Sequence, residues 1–173
     1  PVFNVSFRDN WINAWNWTAG NNMHLTVDDD RDPGNGGICY EADSGIDGGG
    51  SAWFNVDQNQ CDLVPGQWVT LSDGVTTKNT QIQDVHFDTI DQTTDTAMGR
   101  GPTGAEADVY IRTQTGEAGP HITIDDPSGF WTALFNGLHP IQNIQDANIV
   151  VYDDDGDGTQ SNFDASFAAR LTE

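Results

Sequence analysis

Apolar and polar side chains alternate in short runs along the whole chain. Phe3, Val5 and Phe7 share one parity around Asn4 and Ser6, and Met23, Leu25 and Val27 repeat the pattern around His24 and Thr26. A period of two sends alternate side chains to opposite sides of an extended strand. Further short runs lie at Ile38–Glu41, Ala52–Val56, Gln67–Leu71, Val75–Gln83, Val85–Asp91 and Thr94–Gly99. Others follow at Ala107–Arg112, His121–Ile124, Phe130–Phe135, Ala147–Tyr152 and Phe163–Ala168, and Gly, Pro, Asn or Asp separates most of them. Asp73-Gly74 is a hairpin signal. Helical spacing of apolar residues is scarce. The pattern predicts an all-β chain of about a dozen strands packed as one or two antiparallel β-sandwiches, divided at 1–83 and 84–173.

Trp11, Trp15 and Trp17 form an aromatic cluster between the first two runs. Two readings apply. Indoles are mostly buried in cores, but a short segment presenting two or three of them also makes a stacking platform for sugar rings. Trp53 and Trp68 are further candidates for such a surface. Asn4-Val5-Ser6 and Asn16-Trp17-Thr18 fit the N-glycosylation acceptor pattern, which matters in a source with that machinery.

Charge narrows the choice of partners. The 27 acidic and 6 basic residues give a net charge of −21, and Lys78 is the single lysine. Phosphate binding needs basic side chains, so nucleic acid and anionic membrane surfaces are poor partners. Bound cations or a saline habitat would each make such a charge tolerable. Cys39 and Cys61 are the two cysteines. In an extracellular chain they would pair as a disulfide worth about 3 kcal/mol; two buried free thiols are the alternative. No run is long and apolar enough to read as a membrane span, and a start at Pro1 without Met reads as processing for secretion.

The residues with the clearest chemistry lie near the C-terminus, where a β-branched strand runs into Asp153-Asp154-Asp155-Gly156-Asp157-Gly158. Asp153, Asp155 and Asp157 occupy positions 1, 3 and 5 of a calcium loop, with Gly158 at the sharp turn of position 6. Thr159, Ser161 and Asp164 fall at positions 7, 9 and 12. A hard cation takes about 6–8 oxygens, and this spacing supplies many from few residues. Position 12 is Asp rather than Glu, and the preceding element reads as a strand, so the loop is of the DxDxDG type rather than an EF-hand. A solvated acidic turn is the plainer account. Asp28–Gly37 is a second acidic turn, read mainly as a surface loop.

Catalytic motifs are missing. There is no Gly-x-Ser-x-Gly elbow and no phosphate loop, and His24, His86, His121 and His139 are scattered without metal-ligand spacing. A sandwich glycosidase is the catalytic alternative, since so many carboxylates guarantee that some pair lies close. The expectation is a chain that is not an enzyme.

Residues 66–83, which open Gly66-Gln67-Trp68-Val69-Thr70-Leu71-Ser72-Asp73-Gly74-Val75-Thr76-Thr77-Lys78, resemble the strand pair preceding immunoglobulin-like modules in bacterial surface proteins. Ile90-Asp91, Asp95–Gly99, the strand Val109–Ile111 and the hairpin Asp126, Gly129, Trp131 are similar to the module that follows. The resemblance implies Ig-like β-sandwiches on secreted, often repetitive, cell-surface proteins, and marks no activity. Phe3–Phe7 and Phe163–Phe167 also share the form F-[ND]-[VA]-S-F. Chance explains five residues; otherwise a terminal strand could complete a neighbour's sheet, and such head-to-tail addition builds filaments. The expected protein is a calcium-stabilised extracellular structural subunit that self-associates, or a carbohydrate-binding adhesin module.

Overall fold

A computed structural model describes residues 1–29, 37–135 and 141–163. The chain forms two compact units. Residues 1–83 and 152–159 make the first; residues 84–151, with those described after 159, make the second. The described residues are all strand, turn and loop, and among them no helix is long and apolar enough to cross a membrane.

In the first unit the strands are β1 (Val2–Ser6), β2 (Trp11–Trp15), β3 (Asn22–Asp28), β4 (Ile38–Gly45), β5 (Ala52–Asn55), β6 (Trp68–Ser72) and β7 (Thr77–Gln81). One antiparallel sheet runs β1-β2-β5 and another β4-β3-β6-β7. Phe3, Val5, Ile12 and Phe54 from the first sheet and Met23, Leu25, Val69 and Leu71 from the second share one core. This is a sandwich, and its parity is the one the alternation predicts. Asp73 Oδ1 accepts the amides of Val75 and Thr76 at 3.0 and 2.7 Å, which turns β6 back into β7.

In the second unit, β8 (His86–Asp91), β9 (Thr96–Arg100) and β13 (Phe130–Leu134) form the sheet β13-β9-β8. β10 (Glu106–Thr113) pairs with β14 (Ile144–Tyr152) along one edge and with β11 (Glu117–Ala118) and β12 (His121–Thr123) along the other. Trp131, 2% exposed, meets Phe87 edge-on at 5.2 Å.

The strands depart from the sequence reading in three places. Trp11–Trp15, read as a cluster, is β2, because Asn10 takes the left-handed conformation (φ 53°) and lets the chain reverse onto β1. Glu117–Ala118 adds a two-residue strand. The third is β15 (Gly158–Asn162), which begins beside β1 although none of its residues is apolar. Of the last expected strand only Phe163 is described.

Candidate metal centre

Residues 152–159, expected with the second half of the chain, belong to the first unit. The hairpin closes on itself first. Asp153 N–H donates to Asp157 O at 2.9 Å, Gly156 N–H donates to Asp153 O at 3.2 Å, and Gly156 takes φ 87°. Asp153 Oδ1 accepts the amides of Asp155 and Asp157 at 3.2 and 2.9 Å. One oxygen each of Asp153, Asp155 and Asp157 then lies within 4.8 Å of the others. Among the described residues these three form the one such group of metal-ligating side chains.

Two groups distant in sequence complete the arrangement. The Phe3 amide donates to Asp157 Oδ1 at 2.9 Å, which ties the first strand to this hairpin. Lys78 Nζ, its side chain only 11% exposed, sits 3.0 Å from the same oxygen and 3.4 Å from Asp155 Oδ2. It also donates to the carbonyls of Pro1 and Asp155 at 3.2 and 3.0 Å. The single ammonium of the lysine inventory is therefore surrounded by oxygens. Sequence spacing gave no sign of this, since Lys78 lies 79 positions before Asp157. The signal available was indirect: a chain of net −21 that buries carboxylates needs a counter-charge, and this is its one lysine.

One ammonium does not balance three carboxylates. Asp157 is fully buried, and burial pushes its carboxyl up to about 6 despite the Lys78 charge and the Phe3 amide. Burial likewise raises Asp153, with Asp155 adding to it, whereas Asp155 is lowered by its hydrogen bond with Asp153 and by Lys78. Burial alone would lower Lys78, but its hydrogen bond and charge pairing with Asp157 hold it above the ordinary lysine value. Asp157 Oδ2 is buried with no hydrogen-bond partner. A buried acceptor left unpaired costs about 1–3 kcal/mol, more when charged. The donor set is all hard oxygen, which suits calcium or magnesium and not a thiolate-seeking metal.

The other predicted ligands stand differently. Thr159 and Ser161 are buried residues of β15, and the Thr159 hydroxyl accepts the Gln83 amide at 3.1 Å. Ser161 Oγ is buried without a partner. Asp164 lies outside the described residues. Most of the second acidic turn, Asp28–Gly37, lies outside them too.

Cys39 and Cys61 form a disulfide, with Cα atoms 5.3 Å apart. Asn4 is half-buried in the middle of β1 and its sequon partner Ser6 is fully buried, whereas Asn16 is exposed at φ 62°. The indoles separate. Trp17 is 5% exposed and donates from Nε1 to the Val2 carbonyl at 3.2 Å, so it offers no free face to a ligand. Trp11 and Trp15 are half-buried on β2, and Trp53 is 46% exposed. Trp68 is half-buried, with Nε1 shielded and unpartnered. The described histidines each sit between two carboxylates: His24 with Glu41 and Asp43, His86 with Asp84 and Asp88, His121 with Glu106 and Asp108. His139 lies outside the described residues.

No protein-family model and no curated protein matches the chain. Among solved structures, 94% of the chain overlaps a tetra-tandem repeat from the extending region of a large adhesion protein, at 16% identity and TM-score 0.33. A 1.5-MDa bacterial ice-binding adhesin overlaps 92% of it at 11% identity and TM-score 0.32. The BSP domain of a biofilm-associated protein overlaps 94% at 9% identity and TM-score 0.32. The chain spans 48%, 58% and 28% of those three structures. Overlaps at this level carry no argument about function.

Proposed function

We propose that the chain is a non-catalytic extracellular structural module of a surface adhesion or appendage protein, and that calcium bound at Asp153, Asp155 and Asp157 fastens its first strand to its last hairpin. The observation that carries this reading is Asp157: wholly buried, with Oδ1 shared by Phe3 N–H and Lys78 and Oδ2 without a partner. A divalent ion would satisfy that oxygen and offset the two negative charges that Lys78 leaves. Ion binding would then add directly to folding stability. The Cys39–Cys61 disulfide supports an oxidising, extracellular setting. Self-association into a filament by strand addition belongs to the same reading. It would use an edge strand such as β5 or β7, because β1 is already paired on both sides.

The test is a thermal melt at low salt in EDTA and in excess calcium, with calcium affinity by titration calorimetry. At one hundred times Kd the ion should add about 2.7 kcal/mol, a rise in Tm of several degrees. A melt that EDTA and calcium leave unchanged ends the calcium reading. Light scattering across a concentration series decides self-association, and a strictly monomeric chain at high concentration ends the filament.

A further inference from the structure

The outer side of the β1-β2-β5 sheet differs from the rest of the chain in its chemistry. Register places Asn4 opposite Asn13, Asn13 opposite Trp53, and Trp11 opposite Asn55. Directly opposed residues share a face, so these five and Trp15 point away from the core that Phe3, Ile12, Ala14 and Phe54 fill. Charged residues make up 19% of the chain, and none of these six is charged. Three are indoles and three are primary amides.

The indoles are held ready. Trp11 and Trp53 stack with centroids 4.8 Å apart at 23°, and Trp53 Nε1 donates to Asn55 Oδ1 at 3.1 Å. Trp53 is nonetheless 46% exposed. Asn13 lies beside the stack, and Asn4 Oδ1, next along, is shielded and has no hydrogen-bond donor. Trp15 stands about 13 Å along β2 from Trp11, at the rise of an extended strand.

We propose that this face is a binding site for a neutral polysaccharide. The C–H face of a pyranose ring carries slight positive charge and meets the negative face of an indole. The Asn13 and Asn55 amides carry NH2 donors for ring hydroxyls and Asn13 an acceptor as well, whereas Asn4 Oδ1 is shielded and Asn55 Oδ1 is taken by Trp53. Stacking and the Asn55 bond fix Trp53 before any ligand arrives, which lowers the ordering cost of binding. A basic protein partner of so acidic a chain would be recognised through carboxylates; these six residues offer none, and the carboxylate at the end of the face, Asp9, is held by the Ser6 hydroxyl at 2.8 Å. An anionic glycan would be repelled by the net charge of −21.

The experiment is native affinity electrophoresis of the whole chain through gels containing hydroxyethylcellulose, laminarin, galactomannan, dextran or alginate, with indole fluorescence followed in parallel. At least one neutral polymer should retard the chain and shift its fluorescence, and alginate should do neither. Trp53→Ala should weaken retention about tenfold or more, as loss of one stacking ring commonly does, while Trp53→Phe retains most of it. Val75→Ala, at a residue 84% exposed elsewhere, should leave it unchanged. Asn13→Ala supplies a second variant that leaves all the indoles in place, and should also weaken retention. No retardation by any neutral polymer overturns the proposal. So does equal retention of Trp53→Ala, or a sedimentation profile in which Trp53→Ala splits a dimer. Retention should persist in EDTA, so this site and the calcium reading fail separately.

Discussion

Asp153–Gly156 and Asp126–Gly129 fold into the same kind of turn. In each, the first aspartate accepts backbone amides through Oδ1: Asp155 and Asp157 at 3.2 and 2.9 Å in one case, Ser128 at 2.7 Å in the other. In each, a glycine three positions on donates to that aspartate's carbonyl and takes a positive φ, 87° and 75°. The electrostatic outcomes are opposite. Burial raises the carboxyl of Asp153, whereas the Ser128 hydroxyl and amide lower that of exposed Asp126. Turn chemistry is local, but the charge state of a turn depends on what is packed over it. The surface turn is balanced by its own hydrogen bonds and by water. The buried one is set against the ammonium of Lys78.

The largest test of this contrast is Lys78→Met. It leaves Asp157 as a buried carboxylate facing only the Phe3 amide, and breaking such a pair from one side costs about 3–5 kcal/mol. Urea unfolding in EDTA should show that loss, and excess calcium should recover most of it. A variant as stable as the parent in EDTA would remove the contrast.

Smaller effects come from the glycines. A Cβ at Gly129 would lie 2.3 Å from the Gly101 carbonyl, whereas one at Gly156 meets only Val2 Cγ1 at 3.7 Å. Both positions carry the left-handed strain of roughly 1 kcal/mol. Gly129→Ala should therefore destabilise by about 2–3 kcal/mol in all, within the usual range for forced close contacts, and Gly156→Ala by about 1 kcal/mol. Equal losses would mean that the two turns are packed alike.

The smallest effect is on acid titration. The carboxyl of Asp126 is lower folded than unfolded, so its contribution is present above the ordinary aspartate value of 3.8 and disappears as pH falls through the folded value. Asp126→Asn should remove that small contribution at neutral pH and, with it, the slight loss of stability below about pH 4, so the two profiles converge in acid. His121 has the opposite sign. Asp108 and Glu106 raise it, so its contribution is full below 6.5 and fades as pH climbs through the folded value, which NMR titration of the ring will locate.

Most of the strands were legible because alternation is a backbone property: Phe3, Val5, Met23, Leu25 and Val27 are buried at the parity expected of them. β15 was not, since Gly-Thr-Gln-Ser-Asn carries no apolar signal and the strand exists through backbone pairing. The aspartate triplet was visible as a motif, but its partners were not. Lys78 and the Phe3 amide reach it through tertiary folding that no local spacing encodes. The indoles divide by the same logic. Trp17, beyond the end of β2, enters the core, while Trp11 and Trp53 fall on the outward parity of paired strands.

The return of residues 152–159 to the first unit has a consequence for synthesis. Phe3 leaves the ribosome well before its hydrogen-bond acceptor, which lies 154 positions further along the chain. The first unit can gather its apolar core early, but its opening strand stays unfastened until Asp157 has emerged. A fragment ending at residue 83 would carry the same defect permanently, with Lys78 directed at carboxylates that are no longer attached to it.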